Sequence, residues 1–466
     1  MSLSKCMRRK CTYAFGAFAI SSFAFSQGHA QQTEQLNTRS IRLTLDQNLS
    51  ATSNQALSTQ SAGTTSTSDT RLGFEIESVN ELNSLSFSAS TNLEIENTPD
   101  NGSETDIESP RFSLEYARNG AFSDFSFSSN YRSDDLTSLI PLIDFVDDDG
   151  VLVLPEDISD LSTTGRRITF SNRVRFDIAK DAPLSFELTL SNSGRRYEDI
   201  TTTDLFDTDR QSLDATTRLR FDDGFDGAIN ISASRFDAED TAQTQRDRSS
   251  ISFELNRALS PVLDGQVSIG HSRIETTTTG GTTEQNDTTG SLRLTLARPN
   301  GELSAEYNLT SDPDGQRHSL EFDRSLQLPN GNLTGSIGVT TRDNDDDVSF
   351  IGSLSYNQAL PSGSLSLTLS RSVRFVDEDS TDQDLTAINA THTHQINRSS
   401  SISLQAGLTD SDDTRRISAG VSYNYELTED WNLSSGYNYT RLQDTSGDAN
   451  RSEFFVGLQR AFDIGF

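Results

Sequence analysis

Apolar residues recur at every second position in run after run along this chain. Ile41, Leu43 and Leu45 alternate with Arg42, Thr44 and Asp46. The same grammar returns at Leu72/Phe74/Ile76, Phe112/Leu114/Tyr116, Val174/Phe176/Ile178, Leu184/Phe186/Leu188/Leu190, Ile251/Phe253/Leu255, Leu292/Leu294/Leu296 and Leu365/Leu367/Leu369. A period of two assigns strands whose two faces meet different surroundings. No window carries a competing helical stripe. The chain ends on the same pattern: Phe454, Val456, Leu458, Arg460, Phe462, Ile464 and Phe466 share one face.

The connections alternate in length. One set is short and turn-like, as in Arg118-Asn119-Gly120, Asp181-Ala182-Pro183, Pro299-Asn300-Gly301, Pro329-Asn330-Gly331 and Pro361-Ser362-Gly363. Asn-Gly and Pro-containing pieces are hairpin chemistry. The other set is longer and acidic: Glu96 to Glu108, Ser133 to Thr164, Glu198 to Asp209, Asp237 to Asp247, Asp343 to Asp347, Val376 to Asp384 and Asp410 to Asp413. Ten short turns and eleven longer loops give 22 strands, within a range of 20–24, with both chain ends on the side of the short turns.

A last strand with an aromatic at its end and apolar residues two and four before it resembles the closing strand of Gram-negative outer-membrane β-barrels. Phe466, Ile464 and Phe462 carry that resemblance. It implies an all-β fold, a transmembrane antiparallel up-and-down β-barrel; the short lead Gln31 to Leu36 runs directly into the first strand, so no plug domain is expected. It also implies a terminal signal read by the barrel-assembly machinery, short turns in the periplasm and longer loops outside.

The first residues and the composition fit that reading. Lys5, Arg8, Arg9 and Lys10 precede an apolar run from Cys11 to Phe25, and Gly28-His29-Ala30 offers a cleavage site. Residues 1–30 therefore read as a cleaved signal peptide, 31–36 as a short periplasmic lead and 37–466 as the barrel. Both cysteines, Cys6 and Cys11, lie in the signal, which leaves no thiol chemistry in the mature chain. The signal takes four of the 38 basic residues and leaves 34 against 69 acidic ones. Such a chain does not bind nucleic acid non-specifically. No stretch after residue 30 has the length of an apolar membrane helix, so a membrane-spanning fold has to be a closed barrel.

In lipid the apolar set points outward and its partners line the bore. That rule puts Arg173, Arg175, Arg218, Arg220 and Arg293 inside, with Glu75, Glu115, Glu187, Glu254, Glu306 and Glu321. The remaining inward positions are mainly Ser, Thr, Asn and Gly, which suits a water-filled pore. The third outer loop, 133–164, is long and unusually apolar. By position and length it resembles the constriction loop of general porins, which folds into the barrel. Folded inward, Asp144, Asp147, Asp148 and Asp149 would oppose the arginine wall and set up a transverse field. The alternative is a small cap, or packing on a neighbouring subunit of a homo-oligomer.

The acidic outer loops suit hard cations, with calcium or magnesium at Asp345, Asp346 and Asp347 as the possible sites. Such ions, and arginines at the strand ends, would engage phosphates of lipopolysaccharide and outer-membrane lipid. No twelve-residue calcium loop, nucleophile constellation or phosphate loop appears, so neither an enzyme nor a resident cofactor is expected. His392 and His394 share a face with Ile388 and Ala390, which reads as lipid-facing rim. The expected function is a passive porin-like channel for small hydrophilic solutes. The alternatives are an exopolysaccharide export barrel and a non-conducting structural or surface-recognition barrel. One tension accompanies this reading: known barrels of 22 strands carry a plug.

Overall fold

A computed structural model describes residues 38–136 and 165–465, apart from 62, 100–101, 201–204, 222–223, 314, 344, 377–380, 413 and 445–446. The described residues form one sheet of 22 strands. In order these are β1 (Thr38–Ser53), β2 (Thr64–Val79), β3 (Asn83–Thr98), β4 (Gly102–Asn119), β5 (Ser123–Asp135), β6 (Arg166–Ile178), β7 (Leu184–Glu198) and β8 (Thr208–Phe221). There follow β9 (Phe225–Ala238), β10 (Gln245–Ser260), β11 (Leu263–Thr278), β12 (Gly281–Arg298), β13 (Gly301–Asp312), β14 (Gly315–Leu328) and β15 (Gly331–Arg342). The last are β16 (Asp345–Leu360), β17 (Gly363–Val376), β18 (Thr381–Asn397), β19 (Ser400–Ser411), β20 (Arg415–Glu426), β21 (Trp431–Asp444) and β22 (Gly447–Gly465).

Each strand pairs antiparallel with its neighbours in sequence, and β22 returns to pair with β1. Phe462 lies opposite Leu43, and Ile464 opposite Ile41. Closure satisfies the backbone groups that an edge would leave open, which is what lets a sheet stand in hydrocarbon. The large apolar side chains confirm which solvent they meet. Phe253, Ile269, Ile337 and Phe454 remain exposed on the outer face, while few apolar residues are buried. A water-soluble fold would bury them; here lipid replaces the core.

The short connections fall where the turn chemistry puts them. Gly301 follows Pro299-Asn300 with φ of +131°, and a β-carbon there would stand 2.1 Å from the carbonyl oxygen of Ser325. Only glycine fits that corner. At the other end the longer loops shrink. Glu96 to Glu108 is not a loop: β3 and β4 continue through it, pairing Glu94 with Asp106 and Glu96 with Glu104. Likewise β15 reaches Arg342 and β16 begins at Asp345, β9 reaches Ala238, β17 reaches Val376, and β19 reaches Ser411. Ser133 to Asp135 is still strand, paired with Arg166 to Ile168. Beyond the lipid both faces are wet, so the apolar–polar alternation vanishes. The ladder persists because it needs only N–H and C=O groups.

On the outer face of β6–β11, Leu190, Leu213, Arg235 and Arg273 border a space of about 850 Å³. Near the short-turn rim, Arg460 stacks on Trp431 at 5.0 Å and on Phe462 at 4.3 Å, a cation–π arrangement at the membrane boundary.

Candidate functional site

The ladder register assigns a face to every paired residue. Arg42, Glu75 and Ser88 stand side by side across β1–β3, opposite in phase to Leu43, Phe74 and Phe87. This polar face is the one turned away from lipid. A hollow of about 510 Å³ is lined by Arg42, Asp46, Arg71, Glu75, Arg111 and Arg132 from β1, β2, β4 and β5. The inward face of a closed barrel is its bore.

The same register puts Arg173, Arg175, Arg218, Arg220, Arg293, Glu75, Glu115, Glu187, Glu254, Glu306 and Glu321 on that face. Several are paired. Glu187 lies between Arg175 at 3.3 Å and Arg218 at 3.1 Å, and Arg175 also meets Asp177 at 3.0 Å. Arg293 meets Glu306 at 3.3 Å. Arg42 meets Asp463 at 2.6 Å and stands 3.9 Å from Glu75. Glu254 accepts from the Asn256 amide at 2.8 Å. Glu115 stands between Ser86 and Ser128, and Arg173 between Ser128 and Ser191.

The Arg175–Glu187–Arg218 network lies near the short turn between β6 and β7, where Lys180 holds Asp124 at 2.8 Å. Residues 137–164, with Asp144, Asp147, Asp148 and Asp149, lie outside the described residues, and they connect at the opposite end of β5 and β6. Residues 31–36 and Phe466 also lie outside the described residues. The arginines nearest that end are different ones: Arg132, Arg167, Arg195 and Arg210, all inward by register. Sequence reading misses them because Arg195 is followed by Arg196, and a doubled residue hides which of the two points in. Counting in twos from Leu190 separates them. Replacing Glu187 with Gln removes the carboxylate shared by two arginines. In a conducting barrel the reversal potential is expected to move toward anions; an unmoved value would detach this network from the ion path.

The outer mouth has a feature with no sequence signal. Leu136, just after β5, and Leu205, just before β8, are buried together with Leu385 of β18, and Tyr197 and Ile200 pack on them. In a ring of 22 strands, β18 stands across the bore from β5–β8. The described residues at the outer ends of β5 and β8 therefore meet the far wall there. A smaller cluster, Leu57 with Leu442 and Ala449, folds the β1–β2 connection over β21 and β22.

Outside, a row of ion pairs sits just beyond the apolar belt. Arg235 meets Asp237 at 3.0 Å, Arg273 meets Glu275 at 3.1 Å and Glu284 at 3.2 Å, and Arg371 meets Asp384 at 2.7 Å. Arg415–Asp410, Arg441–Asp448, His318–Asp343 and Arg196–Asp209 continue it. All these strand residues face outward by register. His392 and His394 also face outward, beside Leu365 and Gly363 at the short-turn rim. Among the described residues no group of three His, Cys, Asp or Glu is placed to hold a metal. The side chains of Asp345, Asp346 and Asp347 lie outside that description.

No family model and no curated protein matches the chain. Solved structures do. The FrpB iron transporter from Neisseria meningitidis aligns with a TM-score of 0.59 at 9% identity, over 91% of this chain and 82% of that one. The ferric-catecholate import receptor Fiu from E. coli K12 gives 0.56 at 10% identity, over 91% and 81%. BauA, the ferric preacinetobactin receptor from Acinetobacter baumannii, gives 0.55 at 11% identity, over 92% and 81%. At such identities the likeness is one of fold. Together with the lipid-facing belt and the wet interior, it identifies the chain as an outer-membrane β-barrel protein of 22 strands.

Proposed function

We propose that this outer-membrane transport barrel passes small hydrophilic solutes by diffusion through its bore. The observation that carries the reading is the inner face. Ser, Thr and Asn recur along it, as in the row Ser128–Arg173–Ser191–Ser212 across β5–β8, with both signs of charge interspersed, as at Arg175, Glu187 and Arg218. Such a wall keeps water and offers solutes hydrogen bonds throughout their passage. The purified protein in a planar bilayer is expected to give discrete conductance steps. Persistent silence would turn the assignment toward a structural barrel.

A second reading has its own observation. The Leu136–Leu205–Leu385 contact across the outer mouth favours selective uptake of one solute; among the similar structures are an iron transporter and a ferric-catecholate import receptor. A barrel of this kind would conduct little until the contact parts.

A further inference from the structure

We propose that the outer half of the bore holds a binding pocket for compact polyanions, solutes carrying two or more phosphate or carboxylate groups. The pocket is a hollow of about 490 Å³ on the inner face of β5–β9, and Arg132, Arg167, Arg195 and Arg210 line it. No Asp or Glu is among its lining residues. That is unusual in a chain with 69 acidic and 38 basic residues.

The register explains how four cations share one hollow. Arg132, Thr169, Arg195 and Thr208 form one row across β5–β8. Arg167 stands one inward position toward the mouth, and Arg210 one toward the short turns. Within the row the arginines occupy alternate strands, about 10 Å apart at the backbone. Small hydroxyl residues fill the places between, and Thr169, Ser171, Ser193 and Thr208 line the hollow together with the arginines. The hydroxyls supply neutral donors and the arginines supply forked, permanently charged ones, the combination that matches phosphate and carboxylate oxygens.

The arginines are held in place. Arg195 donates from Nε to Thr208 Oγ1 at 3.2 Å, and Arg210 lies over the ring of Phe236 at 5.4 Å. Arg132 meets Asp134 at 2.5 Å. These guanidiniums have interactions of their own. Each has five N–H donors, and an anion adds to, or exchanges with, the partners already there. A solute seated here lies at the outer end of the bore, on the path of anything that enters.

The inference rests on the transport reading for its purpose, but its test does not need conduction. Full-length protein in detergent is titrated calorimetrically with inorganic pyrophosphate, and separately with citrate, at constant ionic strength. Saturable binding is expected with both. Arg195→Gln or Arg210→Gln should weaken it about tenfold, the scale of one charge-assisted hydrogen bond. Arg441→Gln, which removes an arginine from the outer face, should bind as wild type does. Absence of saturable binding by the wild-type protein overturns the proposal, even where a variant fails to fold. So does equal binding by the wild type and the folded Arg195→Gln and Arg210→Gln variants. A barrel that binds pyrophosphate yet never conducts would instead overturn the diffusion reading.

Discussion

A chain that stops at Arg460 is expected to yield no folded barrel. The missing residues pair Ala461 with Thr44, Phe462 with Leu43, Asp463 with Arg42 and Ile464 with Ile41. They also supply the 2.6 Å contact between Asp463 and Arg42. Without them β1 becomes an open edge along part of its length. These rungs lie near the short-turn rim, so their groups can reach water; what is lost is the apolar and aromatic end of the strand that closes the barrel, and with it the register that brings β22 back to β1. The measurement is the shift in gel mobility between unheated and boiled samples from membranes. A truncated chain that shifts like the intact one would mean that closure does not depend on these rungs. Ile464→Arg is a milder version. Its side chain lies near the rim, where a charge on the lipid face costs about 0–1 kcal/mol rather than the 2–4 of the midplane.

Leu385→Asp is expected to open the outer mouth. Leu385 is only 4% exposed, against Leu136 at 4% and Leu205 at 5%. Burying each leucine contributes about 1.5–3 kcal/mol. An unpaired carboxylate buried in their midst costs more than the contact supplies. Leu136 and Leu205 should let go of the far wall, while β18 keeps its ladder to β17 and β19. In planar bilayers the conductance should rise, most of all if the wild type is nearly closed. Equal conductance in the two proteins would remove the mouth contact from the permeation path and with it the case for selective uptake.

Most of the architecture was legible because one physical rule writes it. Lipid outside and water inside force a period of two, so Leu184 to Leu190 and Leu292 to Leu296 announce their strands and their faces together. Asn-Gly and Pro marked the short turns, and the count of 22 followed from them. The acidic connections were misjudged for a related reason. Glu96 and Glu104 lie on the ends of β3 and β4, past the last alternating pair Leu93 and Ile95, where little enforces alternation. The bore was legible as a face but not as a set of sites. Glu187 announces its side of the sheet through Phe186 and Leu188, but nothing in the sequence says that Arg175 and Arg218 converge on it from neighbouring strands. The mouth contact was wholly hidden. Leu385 breaks the phase of its strand, an apolar residue on the polar face, and its partners come from connections more than 170 residues away.

The ring of ion pairs beyond the belt also fixes how deeply the protein is immersed. From β7 round to β22 seven such groupings stand at the strand ends that face the outside. Sinking the barrel by one further rung, about 5 Å along the membrane normal for tilted strands, would carry all of them toward hydrocarbon together. Rising by the same distance would strip lipid from the top row of Leu190, Leu213, Ile251 and Ile269. The vertical position is thus a stiff minimum rather than a loose fit. In a membrane of different thickness the lipid around this barrel, not the barrel, is what has to stretch or thin.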